Sequence, residues 1–292
     1  MKNNLQHLVQ LLDDNDPDVF RAVEKELQQQ GLAIIPHLEK IWELSPNPRV
    51  QERMENLIHS VQFANAQNKL QKWISKGADS LIEGASFIAQ LQYPAVTAKS
   101  MQESVEKVSA DIYLSSGNHL TAYEKVRLIN YVIFDLNHFT RNNSNFYSPQ
   151  NSYINQVIET RKGNPISLGI IYLEIAKILK LPIYAVALPK CFVLAYMNEY
   201  RHAASNDLAD DVLFYINPYN KGATLNRLEI EQFITQQKLE RKPEYLLPCN
   251  NDIIIKRLIV NLMTAYEKMG FEEKNEPLKK LLDVFQLQKR DV

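Results

Sequence analysis

Glu159-Thr160-Arg161-Lys162-Gly163-Asn164-Pro165-Ile166-Ser167-Leu168, with the apolar run behind it to Leu179, decides how this chain folds. Gly163-Asn164 is a turn signal, and Pro165 suits a first helical position, where its missing N–H would have had no partner. Ser167 then falls in the first helical turn. From Ile166 onward Leu168, Ile170, Ile171, Leu173, Ile175, Ala176, Ile178 and Leu179 cover nearly the whole circumference, with Glu174, Lys177 and Lys180 as the polar exceptions. A helix of that pattern is buried on most sides. Leu181-Pro182 stops it, and three β-rich runs follow: Ile183 to Leu188, Phe192 to Tyr196, and Val212 to Ile216, the last closed by Asn217-Pro218-Tyr219-Asn220-Lys221-Gly222. The expectation is an α+β fold, predominantly helical, with the buried helix packed on a small antiparallel sheet.

The flanks are helical. Leu5, Leu8, Val9, Leu11 and Leu12 recur at helical spacing; Asp16-Pro17-Asp18-Val19 opens a second helix, Gly31 breaks it, and a third carries Ile34, Ile35, Leu38, Ile41 and Trp42. Pro46-Asn47-Pro48-Arg49-Val50 opens a fourth with Met54, Leu57, Ile58 and Val61. The recurrence of Asp/Asn-Pro-x-Val resembles HEAT-like repeats, and a plain helical bundle capping the next domain fits equally. Asp79 is a candidate N-cap for 81–90, Pro94 a candidate restart for the helix running to Ser115-Ser116-Gly117, and Thr121 with Glu124 a capping box for a helix with core residues Val126, Ile129, Val132, Ile133 and Leu136. An Asn/Ser-rich loop spans 137–150. Beyond Gly222, helices at 226–237 and 250–269 precede Leu278, Leu281, Leu282 and Phe285. This last pair is similar to a tetratricopeptide-like hairpin. The chain reads as three parts: 1–75, 76–240 and 241–292.

Several motifs in order carry a wider resemblance: Leu81 to Tyr93-Pro94, Tyr147-Ser148-Pro149-Gln150-Asn151-Ser152-Tyr153, the Gly163-Asn-Pro-Ile-Ser167 turn, Leu188-Pro189-Lys190-Cys191-Phe192, and Asn217-Pro218. Over residues 80 to 285 the chain resembles the SirB1-like, transglutaminase-like family. The resemblance implies a papain-like core in which catalytic relatives place Cys at the helix start, His on the next strand and Asp on the strand after. The matching positions here are Ser167, Cys191 and Asn217, expected to converge in space. Glu159, Arg161, Asn164 and Tyr219 are the candidate lining of the cleft.

The chemistry of the replacements argues against turnover. A helix N-terminus and an imidazole lower a thiol's pKa toward neutrality and create the attacking thiolate. A serine hydroxyl needs a general base, and a protonated thiol at Cys191 accepts poorly. Asn217 would orient an imidazole, yet none stands at the matching position. The expected role is a degenerate, non-catalytic module that binds a protein or peptide. The competing reading is a thiol hydrolase or acyltransferase in which Cys191 attacks, with His202 folding back from the segment after Asn198 as a rearranged base; a solvated loop histidine is the plainer account of His202.

Composition bounds the rest. The chain has 292 residues, 33 basic and 34 acidic, for a formal net charge of −1. No basic field exists to hold nucleic acid or an anionic membrane. No apolar h-region opens the chain, and no run reaches the roughly 18 apolar residues of a spanning helix. Two cysteines, Cys191 and Cys249, make no disulfide framework and point to a reduced, cytoplasmic compartment; Cys249 reads as a packed loop residue. The six histidines are scattered without metal-ligand spacing, so no metal and no cofactor are expected. No phosphate-binding glycine loop or Gly-x-Ser-x-Gly elbow appears.

Overall fold

A computed structural model describes residues 8, 11–14, 16–113, 120–198 and 208–287. The positions Leu5 and Val9 of the first expected helix, the Ser115 to Gly117 stop, and His202 lie outside the described residues. Eleven α-helices are described: α1 (Pro17–Gln29), α2 (Ile35–Leu44), α3 (Pro48–Ser75), α4 (Leu81–Ala89), α5 (Ala98–Tyr113), α6 (Ala122–Asn130), α7 (Ile154–Thr160), α8 (Pro165–Ile178), α9 (Arg227–Gln236), α10 (Asn251–Met269) and α11 (Asn275–Leu287). Six strands are described with them: β1 (Thr140–Arg141), β2 (Lys162–Gly163), β3 (Ile183–Val186), β4 (Val193–Met197), β5 (Val212–Asn217) and β6 (Ala223–Leu225).

Helix α8 is the hub, buried from Ile166 to Ala176 without interruption. Each Ile or Leu fully removed from water there stabilises the fold by ~1.5–3 kcal/mol. Glu174, one of the expected polar exceptions, is buried too: its carboxylate accepts from the Ile82 N–H at 3.1 Å and so caps the start of α4, a partner no local pattern reveals. Strands β3 to β6 form an antiparallel meander in chain order, with Ala185 opposite Leu194 and Ala195 opposite Tyr215. Leu194, Tyr196, Phe214 and Ile216 face the α8 side, while Val193, Ala195 and Tyr215 face a second layer closed by Ile230 and Ile234 of α9 and by Leu246.

The strand ends shift slightly from the sequence pattern, since β3 stops at Val186 and β4 starts at Val193. The short β6 and the two-residue parallel pair β1–β2 carry no alternation to read. Other corrections have local causes. Ser80, not Asp79, caps α4, because its hydroxyl accepts from the Glu83 N–H while the Asp79 carbonyl accepts from the Lys177 ammonium. Pro94 does not restart a helix: Val96 N–H donates to the Tyr93 carbonyl across a turn, and α5 begins at Ala98. Leu136 is 48% exposed rather than core, because after α6 the backbone widens into a π-helical turn, Tyr131–Leu136, with Asn137 N–H donating to the Val132 carbonyl.

At the N-terminal end, Leu12, Val23, Leu27, Ile34, Leu38, Val50, Met54, Leu57 and Val61 form their own apolar cluster. Asp16 and Asn47 cap α1 and α3 in the same way, each accepting from the N–H two residues on. Helix α3 then runs unbroken for 28 residues, and Leu70 and Trp73 in its last turns belong to the main core. The C-terminal pair joins that core as well. Ile254, Ile255, Leu258, Ile259 and Leu262 of α10 and Leu278 and Leu281 of α11 share one cluster with α8.

Candidate functional site

The expected nucleophile position is a helix cap. Asn164 has extended backbone, its Oδ1 accepts from the N–H groups of Ile166 at 3.0 Å and Ser167 at 2.9 Å, and its Nδ2 donates to the Ser152 hydroxyl at 2.9 Å. Ser167 answers reciprocally: its Oγ accepts from the Asn164 N–H at 2.9 Å and donates to the Asn164 carbonyl at 3.2 Å. This is a capping box with Ser in the third position. Ser167 is 0% exposed, and a Cβ on Gly163 would stand 2.7 Å from its Oγ. The hydroxyl accepts from one backbone group, donates to another, and is closed over by the turn.

Cys191 lies in the other layer. It packs against the cluster of Val186, Leu188 and Val193, whereas its neighbour Phe192 turns onto α8, where Gly169 leaves the space that the ring fills. Adjacent residues entering a strand point to opposite faces, so Phe192 and not Cys191 meets the helix. Arg257 of α10 fastens this turn, Nη2 donating to the carbonyls of Leu188 at 3.0 Å and Cys191 at 2.9 Å, with the guanidinium 5.5 Å from the Phe192 ring centre. Burial pushes the Cys191 thiol up; the Phe192 N–H and Arg257 pull it back only in part. Cys249, whose N–H donates to the Ala185 carbonyl beside β3, is pushed up to about 11 by burial.

Asn217 ends β5 and caps the 3-10 turn Pro218–Asn220, its Oδ1 accepting from Tyr219 N–H at 3.1 Å and Asn220 N–H at 3.2 Å. That turn packs against α8. So the structure brings the Asn217 turn to the helix, sends Cys191 into the far layer, and gives Ser167, Cys191 and Asn217 separate local hydrogen-bond partners.

The remaining cleft candidates divide. Glu159 is exposed and accepts from the Gln156 side chain. Arg161 is left-handed at φ 59° and ends α7; its carbonyl accepts from Thr140 N–H at 2.8 Å, and its guanidinium lies 4.6 Å from the Phe139 ring centre. Arg161 Nη1 is buried without a hydrogen-bond partner, and burial lowers the pKa of the group. Tyr219 is half-buried and faces Arg141, 6.0 Å from ring centre to guanidinium. Phe134, Thr140, Arg141, Pro218, Tyr219, Asn220 and Lys221 enclose a small cavity of about 100 Å³. Larger cavities, of about 620 Å³ against α9 and about 490 Å³ between α8 and β3, lie away from this end of the helix.

Residues 96–260 match the family model described as the transglutaminase-like superfamily. The chain belongs to that superfamily. This transglutaminase-like chain is 26% identical over 193 residues to a UPF0162 protein of Xylella fastidiosa (strain 9a5c), covering 64% of each chain. It is 29% identical over 157 residues to F-box only protein 21 of Mus musculus, covering 54% of this chain and 24% of that one. A UPF0162 protein of Vibrio cholerae matches at 26% over 130 residues, 44% of each. The chain thus spans under two thirds of the length of these curated relatives. No solved structure matches it.

Three of the six histidines lie within the described residues. His37, His59 and His138, the described histidines, are all exposed. Among the described residues no group of three or more His, Cys, Asp or Glu side chains is placed to hold a metal ion, and none of the described helices is long and apolar enough to cross a membrane. Sequence reasoning missed Arg141 and Lys221. Arg141 sits in an Asn/Ser-rich loop, and only the Lys221-Gly222 turn after Asn217-Pro218 marks a backbone of special shape.

Proposed function

We propose that this chain is a catalytically degenerate, SirB1-like member of the transglutaminase-like superfamily that binds a protein or peptide in the cytoplasm. The reading rests chiefly on the Ser167 hydroxyl, which is wholly buried and both accepts from and donates to the Asn164 backbone at the start of α8. A nucleophile needs a base and an approach path, and this hydroxyl is engaged with backbone alone. Activation at Cys191 is disfavoured by the burial that keeps its thiol protonated. Two unpaired cysteines and the balanced charge support a cytoplasmic partner other than nucleic acid. In this reading residues 1–75 form a HEAT-like helical unit, 76–240 the transglutaminase-like core and 241–292 a tetratricopeptide-like hairpin that buttresses it.

The test is turnover. Wild type and Ser167→Ala, assayed for acyl transfer to an amine and for amide hydrolysis, are expected to show equal background rates; wild-type turnover abolished in Ser167→Ala overturns the proposal. Alkylation of Cys191 by iodoacetamide at pH 7, followed by peptide mass spectrometry, should be slower than for a free thiol and unchanged by Ser167→Ala. Rapid, selective labelling of Cys191 would instead support the thiol enzyme.

A further inference from the structure

Arg141, on β1, holds a charge without an acidic partner among the described residues. Its guanidinium faces the Tyr219 ring across the cavity of about 100 Å³. Lys221 lines the same cavity and, among the described residues, pairs with the Asp135 carboxylate at 3.7 Å. Thr140, Tyr219 and Asn220 line it too, and Phe134 and Pro218 give the cavity an apolar wall.

The rim is held firmly. Asn130 Nδ2 donates to the Gly222 carbonyl at 2.8 Å, and the buried Tyr172 hydroxyl donates to Asn130 Oδ1 at 3.0 Å. A Cβ on Gly222 would run into the Asn130 side chain, and the residue sits at φ +71°, so glycine is the residue that admits this contact. The contact fixes the turn carrying Lys221, itself left-handed at φ 49°. A preorganised rim spares a ligand the entropy of ordering it.

We propose that Arg141, Tyr219 and Lys221 form a carboxylate-binding subsite that receives an aspartate or glutamate side chain of a bound acidic peptide. The proposal rests on the peptide-binding reading of this fold and gives that peptide its chemistry. Two cations against the single carboxylate of Asp135 leave one positive charge, which matches a monoanionic carboxylate better than a dianionic phosphate. At about 100 Å³ the cavity has room for a carboxylate, one water's share of liquid being about 30 Å³. A guanidinium fork matches a carboxylate in two parallel hydrogen bonds, and the aromatic face holds its plane.

A fluorescein-labelled peptide of four glutamates, its four-glutamine counterpart and inorganic phosphate test this by fluorescence anisotropy in low salt, on the full chain. The glutamate peptide should bind at least about ten-fold tighter than the glutamine one, with affinity falling as salt rises. Arg141→Gln should weaken it about five-fold or more, Arg141→Lys less, and Lys221→Gln less than Arg141→Gln because Asp135 already offsets Lys221. Asp135→Asn should tighten it, and Lys279→Gln on α11 should leave it unchanged. Equal affinity for the two peptides, or indifference to Arg141→Gln in protein of unaltered circular dichroism, overturns the subsite while leaving peptide binding intact. Phosphate displacing the peptide below the peptide's own Kd overturns it in favour of a phosphate site. Turnover by the wild type would sink the non-catalytic reading and leave the charge selectivity to stand or fall by these affinities.

Discussion

Glu174 shows how one buried side chain ties two helices and writes a pH dependence into the fold. Burial holds its carboxyl above the ordinary carboxylate range, and Lys177 with the N–H groups of Ile82 and Leu81 offset that only in part. For a carboxyl raised on folding, the protonated form is the favoured one in the native state. Its contribution is therefore complete below the unfolded value, about 4.3, and is lost as pH rises through the higher folded value. Glu174→Gln keeps an acceptor for the Ile82 N–H and cannot ionise. Its stability relative to wild type should rise between about pH 4.3 and neutrality, read by urea denaturation at several pH values; a flat or falling difference would show that Glu174 is not strained by burial.

At the scale of elements, the start of α8 is a reciprocal cap between Asn164 and Ser167. Asn164 supplies three hydrogen bonds from its side chain, two to helix N–H groups and one to Ser152. Asn164→Ala should cost about 1–2 kcal/mol for the cap alone, with a further loss because the buried Ser152 and Ser167 groups lose partners. Ser167→Ala should cost less, since Asn164 Oδ1 still caps the first turn. Thermal melts of the two variants check the order; Ser167→Ala proving the more damaging would mean that the hydroxyl does more than close the box. The element that sequence reading misplaced most plainly, the π-helical turn at Tyr131–Leu136, shows the limit of a fixed 3.6-residue period, which cannot announce where a helix widens.

Across the whole molecule, apolar packing divides differently from sequence texture. The cluster from Leu12 to Val61 is separate from the main core, whereas α10 and α11 contribute to the same core as α8. Removing 241–292 would expose Ile254, Ile255, Leu258, Ile259, Leu262, Leu278 and Leu281 positions of that core to vacancy, at ~2–5 kcal/mol for each large side chain lost. A chain ending at 240 should therefore fail to unfold cooperatively, while a chain beginning at 62 should keep a cooperative transition. Native-state hydrogen exchange gives the same comparison without truncation. Amides of α1 and α2 should exchange before those of α8 and α10, and simultaneous exchange would show one cooperative unit.

What the sequence determined by itself is what local pattern encodes: the buried helix behind Pro165, the three β-rich runs, the Thr121–Glu124 capping box, and the order of motifs that marks the transglutaminase-like superfamily. It also located Ser167 in the first turn and Asn217 at the end of a strand, because caps and strand ends are decided within a few residues. What only tertiary structure decided depends on groups distant in sequence. Glu174 is polar in a list of residues and buried in the fold because Ile82, 92 positions away, supplies its partner. Cys191 packs in the second layer because strand alternation turns its neighbour Phe192 to the helix. Arg141 and Lys221 meet across Tyr219 because β1 pairs with β2 just ahead of α8, while the turn after β5 packs onto that helix. Such pairings are fixed by the packing of whole layers, and no window of sequence contains both sides of them.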